Sequence, residues 1–162
     1  MKLGTIERAR KDSLGFDIWD AVHVQAERST LGSFRTGAIV FNTKTLEMIG
    51  KGCSHHSVSS VLSTVHAEEH ALKDCWGIRN NLPLGYSIAL MTIGKAGNPT
   101  YSSRPCAHCA LRLENSGIEF VYYPERINSG DWVINCDTPS SLAMRIEDSN
   151  IRMEYAKDMR IK

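Results

Sequence analysis

"YSIALMTIG", residues 86 to 94, is the most apolar run in the chain and reads as a strand buried at the centre of a sheet. The other elements arrange themselves around it. Upstream, "VHAEEHALKDCWGIR", about Val65 to Arg79, carries Ala67, Ala71, Leu72 and Cys75 at spacings that give a helix one buried face. Downstream, "KAGNPTYSSR" is a loop, Pro105 opens a helix at a position where a missing N–H costs nothing, and Gly117 ends it. "IEFVYYP" is a further strand. Toward the N-terminus, "AIVF" and "LEMIGKG" flank the polar turn "NTKT" and form an antiparallel hairpin. A helix from Asp17 to about Ser29 precedes that hairpin. "CSHHSVSSVLST" is polar and serine-rich and reads as a loop, as does "ERINSGDWVINCDT". "PSSLAMRIEDS" resembles a helix and "IRMEYA" a last strand. This alternation predicts a single α/β domain over residues 1–162, a three-layer α/β/α sandwich on a central mixed sheet of about five strands.

With 162 residues, 42% hydrophobic and 23% charged, the chain has the composition of an ordinary globular protein. A formal net charge of +1 gives no global field that would recruit nucleic acid or a membrane. Arg8, Arg10 and Lys11 form a small basic cluster, read as solvated surface. No apolar run approaches the roughly 20 residues of a bilayer span. "MKLGTIERARKDSLG" lacks the apolar segment of a signal peptide, so a cytoplasmic location is expected. Five cysteines, an odd number, argue against a disulfide framework. Some of them have another task.

Cys106 and Cys109 stand at i and i+3 at a helix start, where they share a face and where terminal N–H groups stabilise thiolates. Imidazole is the usual companion of thiolate at zinc, and His66 supplies it if the two helix starts lie side by side. Three protein ligands leave a tetrahedral position open, the arrangement of a catalytic zinc rather than a structural one. Glu68, two residues beyond His66, is placed to handle protons without ligating the metal. The spacing has other readings. "CAHC" also fits a thiol–disulfide site, and His66 with His70 at i, i+4 is close to a zinc-peptidase pattern, but the glutamate is misplaced for H-E-x-x-H. Cys53, Cys75 and Cys136 have no partner spacing and are read as buried or incidental thiols, Trp19 and Trp76 as core.

H-x-E followed by P-C-x-x-C is the signature of zinc deaminases acting on nucleobases, and the sequence resembles the cytidine/deoxycytidylate deaminase superfamily. "HAEEHAL" is similar to its first motif and "RPCAHCALRLENSGIEFVYY" to its second, with "TGAIVFNTKTLEMIGKG" like the hairpin that precedes them. The resemblance runs from roughly Trp19 to Tyr155. It implies zinc held by His66, Cys106 and Cys109, and Glu68 as proton shuttle. It further implies that the base is held by the Ala67 N–H and the Arg104 carbonyl. Where relatives carry a sugar-contacting asparagine this chain has Ser54, so Ser54 or the neighbouring His55 or His56 is the candidate replacement. One of Tyr122 and Tyr123 is expected to line the pocket, Tyr123 being the choice.

The reaction so implied is hydrolytic deamination of a cytosine nucleotide or nucleoside. Deoxycytidylate leads, because a parallel strand–helix–strand ending after "EFVYY" resembles the nucleotide branch. A nucleic-acid editing deaminase acting on cytosine or adenine in a single strand is the second reading, and a catalytically silent zinc-binding subunit the third. The expected partners are a small-molecule substrate and further copies of the chain.

Overall fold

The computed structural model describes residues 14–32, 34–57, 60–76, 85–99, 103–127 and 130–147. Helix α1 (Phe16–Glu27) leads into the strands β1 (Arg35–Asn42) and β2 (Met48–Cys53). A short pair follows, β3 (His55–Ser57) and β4 (Ser60–Val65), then α2 (Ala67–Trp76) and β5 (Tyr86–Ile93). The chain continues through α3 (Ala107–Asn115), β6 (Val121–Arg126), β7 (Trp132–Asp137) and α4 (Pro139–Glu147). The main sheet is mixed, with order β2-β1-β5-β6-β7; among the described residues only the β5–β6 pair is parallel.

β5 lies at the centre, as its apolar run predicts, and the pleat sends successive side chains to opposite faces. Ala38, Val40, Ile88 and Leu90 join Ala71 and Leu72 of α2, Leu113 of α3 and Leu142 of α4 in one core. Their neighbours Ile39, Phe41, Ala89, Met91 and Ile93 pack with Ile18, Trp19 and Val22 of α1 in the other. Helices therefore cover both faces, and the three-layer expectation holds. Trp19 is fully buried. No helix among the described residues is long and apolar enough to cross a membrane.

Local chemistry fixes the connections. The Asn42 side chain accepts the N–H groups of Lys44 and Thr45 at 2.9 and 3.0 Å, closing the β1–β2 turn. At the end of α3, Gly117 takes a φ of 83°. Its N–H reaches the Glu114 carbonyl while the Ile118 N–H reaches that of Leu113, a Schellman end with Ile118 and Leu113 in one cluster.

The structure departs from the sequence reading in three places. "CSHHSVSSVLST" is not a loop; β3 and β4 pair antiparallel, with His55 opposite Val65 and His56 opposite Thr64. Serine and histidine carry little strand propensity, and the pairing comes from context instead. "DWVINCD" is likewise an edge strand, β7, antiparallel to β6 through all six of its residues. Its chain reverses through Gly130, at a φ of 86°, and the Ile127–Asp131 backbone bond. The strand after "EFVYY" is thus an antiparallel hairpin partner that precedes the helix, and the last strand of the expected strand–helix–strand lies outside the described residues. Third, Pro105 does not open α3, because Cys106 serves as the N-cap and the helix begins a residue later. Cys136 is exposed, the incidental thiol of the two readings. "IRMEYA" and the cluster at Arg8, Arg10 and Lys11 lie outside the described residues.

Candidate active site

Two helix starts converge on one point. β4 runs directly into α2, so His66 is the residue that links the strand to the helix. Across from it, Cys106 has the extended backbone of an N-cap, and its Sγ accepts the Cys109 N–H at 3.5 Å. The cap turns both sulfurs to the same side. One ligand atom from each of His66, Cys106 and Cys109 lies within 4.8 Å of the others, and His66 Nδ1 is 3.1 Å from Cys109 Sγ.

Two thiols and an imidazole on rigid helix starts are a zinc donor set with one tetrahedral position to spare, so these residues fit the metal. The groups also polarise one another. A hydrogen bond from Cys109 holds the Cys106 thiol far below its usual range, against the opposing effect of burial. The same bond, with burial, pushes the Cys109 thiol up. His66 is raised chiefly by its hydrogen bond to Cys106.

Glu68 is the second residue of α2 and only 6% exposed. Desolvation raises its carboxyl pKa, opposed by a hydrogen bond to its own backbone and by the charge of His66. It lines a cavity of about 250 Å³ together with Ser54, His66, Ala67, Arg104 and Cys106. Ser54 is buried at the wall, its Oγ accepting the Thr36 N–H at 2.9 Å and lying 2.9 Å from Ser29 Oγ. The Arg104 guanidinium bonds Glu125 at 3.2 Å.

Two of the residues chosen from sequence do not reach this cavity. Tyr123 is fully buried in the helix-covered core, where its hydroxyl donates to Asp137 at 2.7 Å. The pleat of β6 turns it inward, and Tyr122 packs against the opposite core. His55 instead bonds the Cys53 carbonyl through Nδ1 at 2.8 Å. Other lining residues escaped sequence reading. Phe34 is 69% exposed at the cavity with a φ of 55°, and the signal was an aromatic in the polar break "LGSFRTG". Ser103, Thr36 and Thr92 also line it, with Ser103 Oγ accepting the Thr92 N–H at 2.9 Å and the two threonine hydroxyls 2.8 Å apart.

Residues 18–125 match the model of the cytidine and deoxycytidylate deaminase zinc-binding region. The chain belongs to this family. Its cofactor is zinc. A search of curated proteins gave no match. Among solved structures, a cytidine deaminase from Burkholderia pseudomallei is similar at 16% identity with a TM-score of 0.58, covering 78% of this chain and 93% of the other. At that identity the likeness speaks for the fold. A dCMP deaminase from the cyanophage S-TIM5, in complex with dCMP and dUMP, is 16% identical with a TM-score of 0.48, covering 75% and 81%. Cytidine deaminase from Mycobacterium leprae is 18% identical with a TM-score of 0.44, covering 76% and 95%.

Proposed function

We propose that this family member hydrolyses the exocyclic amine of a free cytosine nucleoside, giving the uracil product and ammonia. The observation that carries the reading is the buried carboxyl of Glu68 in one cavity with the metal ligands His66 and Cys106. A purely structural metal has no use for a carboxyl group held there.

His66, Cys106 and Cys109 would hold the zinc, whose chemistry is to polarise a water and lower its pKa toward neutrality. The remaining work belongs to the chain. Glu68, dry and beside the ligands, takes a proton from the attacking water and returns it to the ring nitrogen. It then carries the second proton to the departing amine, so that water and cytosine leave as ammonia and uracil. The Ala67 N–H and the Arg104 carbonyl hold the base, and the wall at Ser54 supports the sugar. Phe34 offers the rim an aromatic face for a planar ring.

Two observations favour a nucleoside over a nucleotide. β7 pairs with β6 antiparallel, so the described part of the ending does not supply the parallel strand on which the preference for deoxycytidylate rested. Arg104, the cation among the described lining residues, already has an acidic partner in Glu125. Deoxycytidylate is the second reading, supported by the 37% exposure of that same arginine side chain, which would let it exchange Glu125 for a phosphate. A homo-oligomer accompanies either reading. Leu111 and Met144, apolar and exposed on the neighbouring helices α3 and α4, support it.

The test is a substrate panel read by mass spectrometry. Cytidine, deoxycytidine, cytidylate and deoxycytidylate form one arm; single-stranded DNA and RNA form the other. Conversion of the free nucleosides, lost by about 10²-fold or more in Glu68→Gln, is the expected result. Conversion confined to the oligonucleotides, or equal turnover by wild type and Glu68→Gln, would overturn it.

A further inference from the structure

A second group of metal-ligating side chains stands apart from the first. One ligand atom from each of Cys53, His55 and His70 lies within 4.8 Å of the other two. They come from the end of β2, the start of β3 and the first half of α2. None belongs to the ligand set of the active site, and nothing in the proposed reaction uses them.

The backbone of Cys53 arranges both rings around one residue. His55 Nδ1 is 2.8 Å from the Cys53 carbonyl oxygen, so a proton on Nδ1 is bonded and Nε2 carries a free lone pair. His70 Nδ1 accepts the Cys53 N–H at 3.1 Å and lies 3.3 Å from the Cys53 carbonyl oxygen, so ligation through Nε2 requires Nδ1 to give up the first bond. When that ring protonates Nδ1, it donates to the carbonyl and frees Nε2 as well. A ring N–H fixed on a backbone carbonyl is the usual support of a metal-ligating histidine. The two rings meet edge to face with centroids 4.7 Å apart, and the sulfur of Cys53 itself is the third donor.

We propose that Cys53, His55 and His70 form a second metal site for a borderline-soft divalent ion of the zinc class. One thiolate and two imidazoles select such an ion over calcium or magnesium, which require oxygen. Cys53 and His55 flank Ser54, and His70 stands one turn after His66, its N–H bonded to the His66 carbonyl at 3.1 Å. An ion here ties the β2–β3 junction to α2 and so fixes one wall of the cavity.

The test counts metal per chain and does not depend on turnover. Wild-type protein expressed with ample zinc and then dialysed should retain two zinc ions per chain by mass spectrometry of the metal. Cys53→Ser and His70→Gln should each halve that count. Cys106→Ser with Cys109→Ser should also leave one, now at the second site. In that double variant, cobalt(II) should give a thiolate charge-transfer band that adding Cys53→Ser abolishes. One zinc in the wild type overturns the proposal however the variants fold. So does a double variant that binds no zinc and shows no thiolate band with cobalt.

Discussion

His66 Nδ1 and Cys109 Sγ lie 3.1 Å apart across 43 residues of sequence. The contact joins the start of α2 to the first turn of α3. Both helix starts lie on the face of the sheet that also buries Ala67 and Ala110. Binding of a metal at this point therefore reports on the packing of two helices against one sheet as well as on chemistry.

Removal of zinc should lower stability as well as abolish activity, because the ion binds the folded chain only. At free zinc about 100-fold above its Kd the linkage is worth ~2.7 kcal/mol, which for a chain of this size is a fall in Tm of about 5–11 °C. Calorimetry before and after chelation measures it. Cys109→Ala should show the lowered Tm without chelator and should no longer respond to added zinc at the catalytic site.

Gly52 sets how closely α2 can approach β2. A Cβ there would lie 2.6 Å from the Ala67 carbonyl oxygen and 2.9 Å from the Ala71 Cα, both backbone atoms that cannot turn aside. Gly52→Ala should therefore destabilise by about 1–3 kcal/mol. It should also lower kcat, since moving the first turn of α2 moves Glu68 relative to the metal ligands. Denaturant unfolding beside steady-state kinetics tests both parts; an unchanged kcat would show that α2 does not transmit the shift.

Phe34 is an exposed aromatic at the cavity, so its removal should spare the fold and weaken substrate binding. Phe34→Ala should raise KM by a factor of about 2–10, the scale of one aromatic contact, with kcat and Tm little changed. A fall in kcat at unchanged KM would move the residue from binding to chemistry.

Tyr123 belongs to stability rather than catalysis. Burial, then its bond to Asp137, pushes its hydroxyl up to about 12. A folded pKa above the unfolded value of about 10 means that the folded chain holds this proton more tightly. The contribution is full below pH about 10 and is lost as the pH rises toward 12. Tyr123→Phe should lose about 1–2 kcal/mol at neutral pH and should show less of the alkaline decline. Its kcat/KM at a permissive temperature should stay within about twofold of wild type, because Tyr123 does not line the cavity; a larger loss would show that its hydroxyl positions Arg104, which it also contacts.

The elements that carry apolar runs were legible from residues alone. β5 could only be a central strand, and the alternation along β1 and β5 feeds two cores. The polar strands were not legible. Nothing in "SHHSVSSVLST" distinguishes a loop from β3 and β4, whose pairing depends on the partner strand and on the helix that follows. "DWVINCD" was hidden for the same reason, since an edge strand needs only one apolar contact face.

What the sequence determined by itself is the donor set proposed for the metal and the family's class of reaction. Residue identity fixes donor chemistry, and helix geometry fixes the spacing of Cys106 and Cys109 on their own element. What only the tertiary structure decided is which side chains share space. Tyr123 and His55 are not among the residues lining the cavity: the β6 pleat turns one into the core, and the Cys53 carbonyl engages the other. Phe34 enters it, and Cys53 meets two histidines, because strands and helices distant in the chain are brought together by burial of the cores between them. Burial is a property of the whole packed chain, and no local pattern contains it.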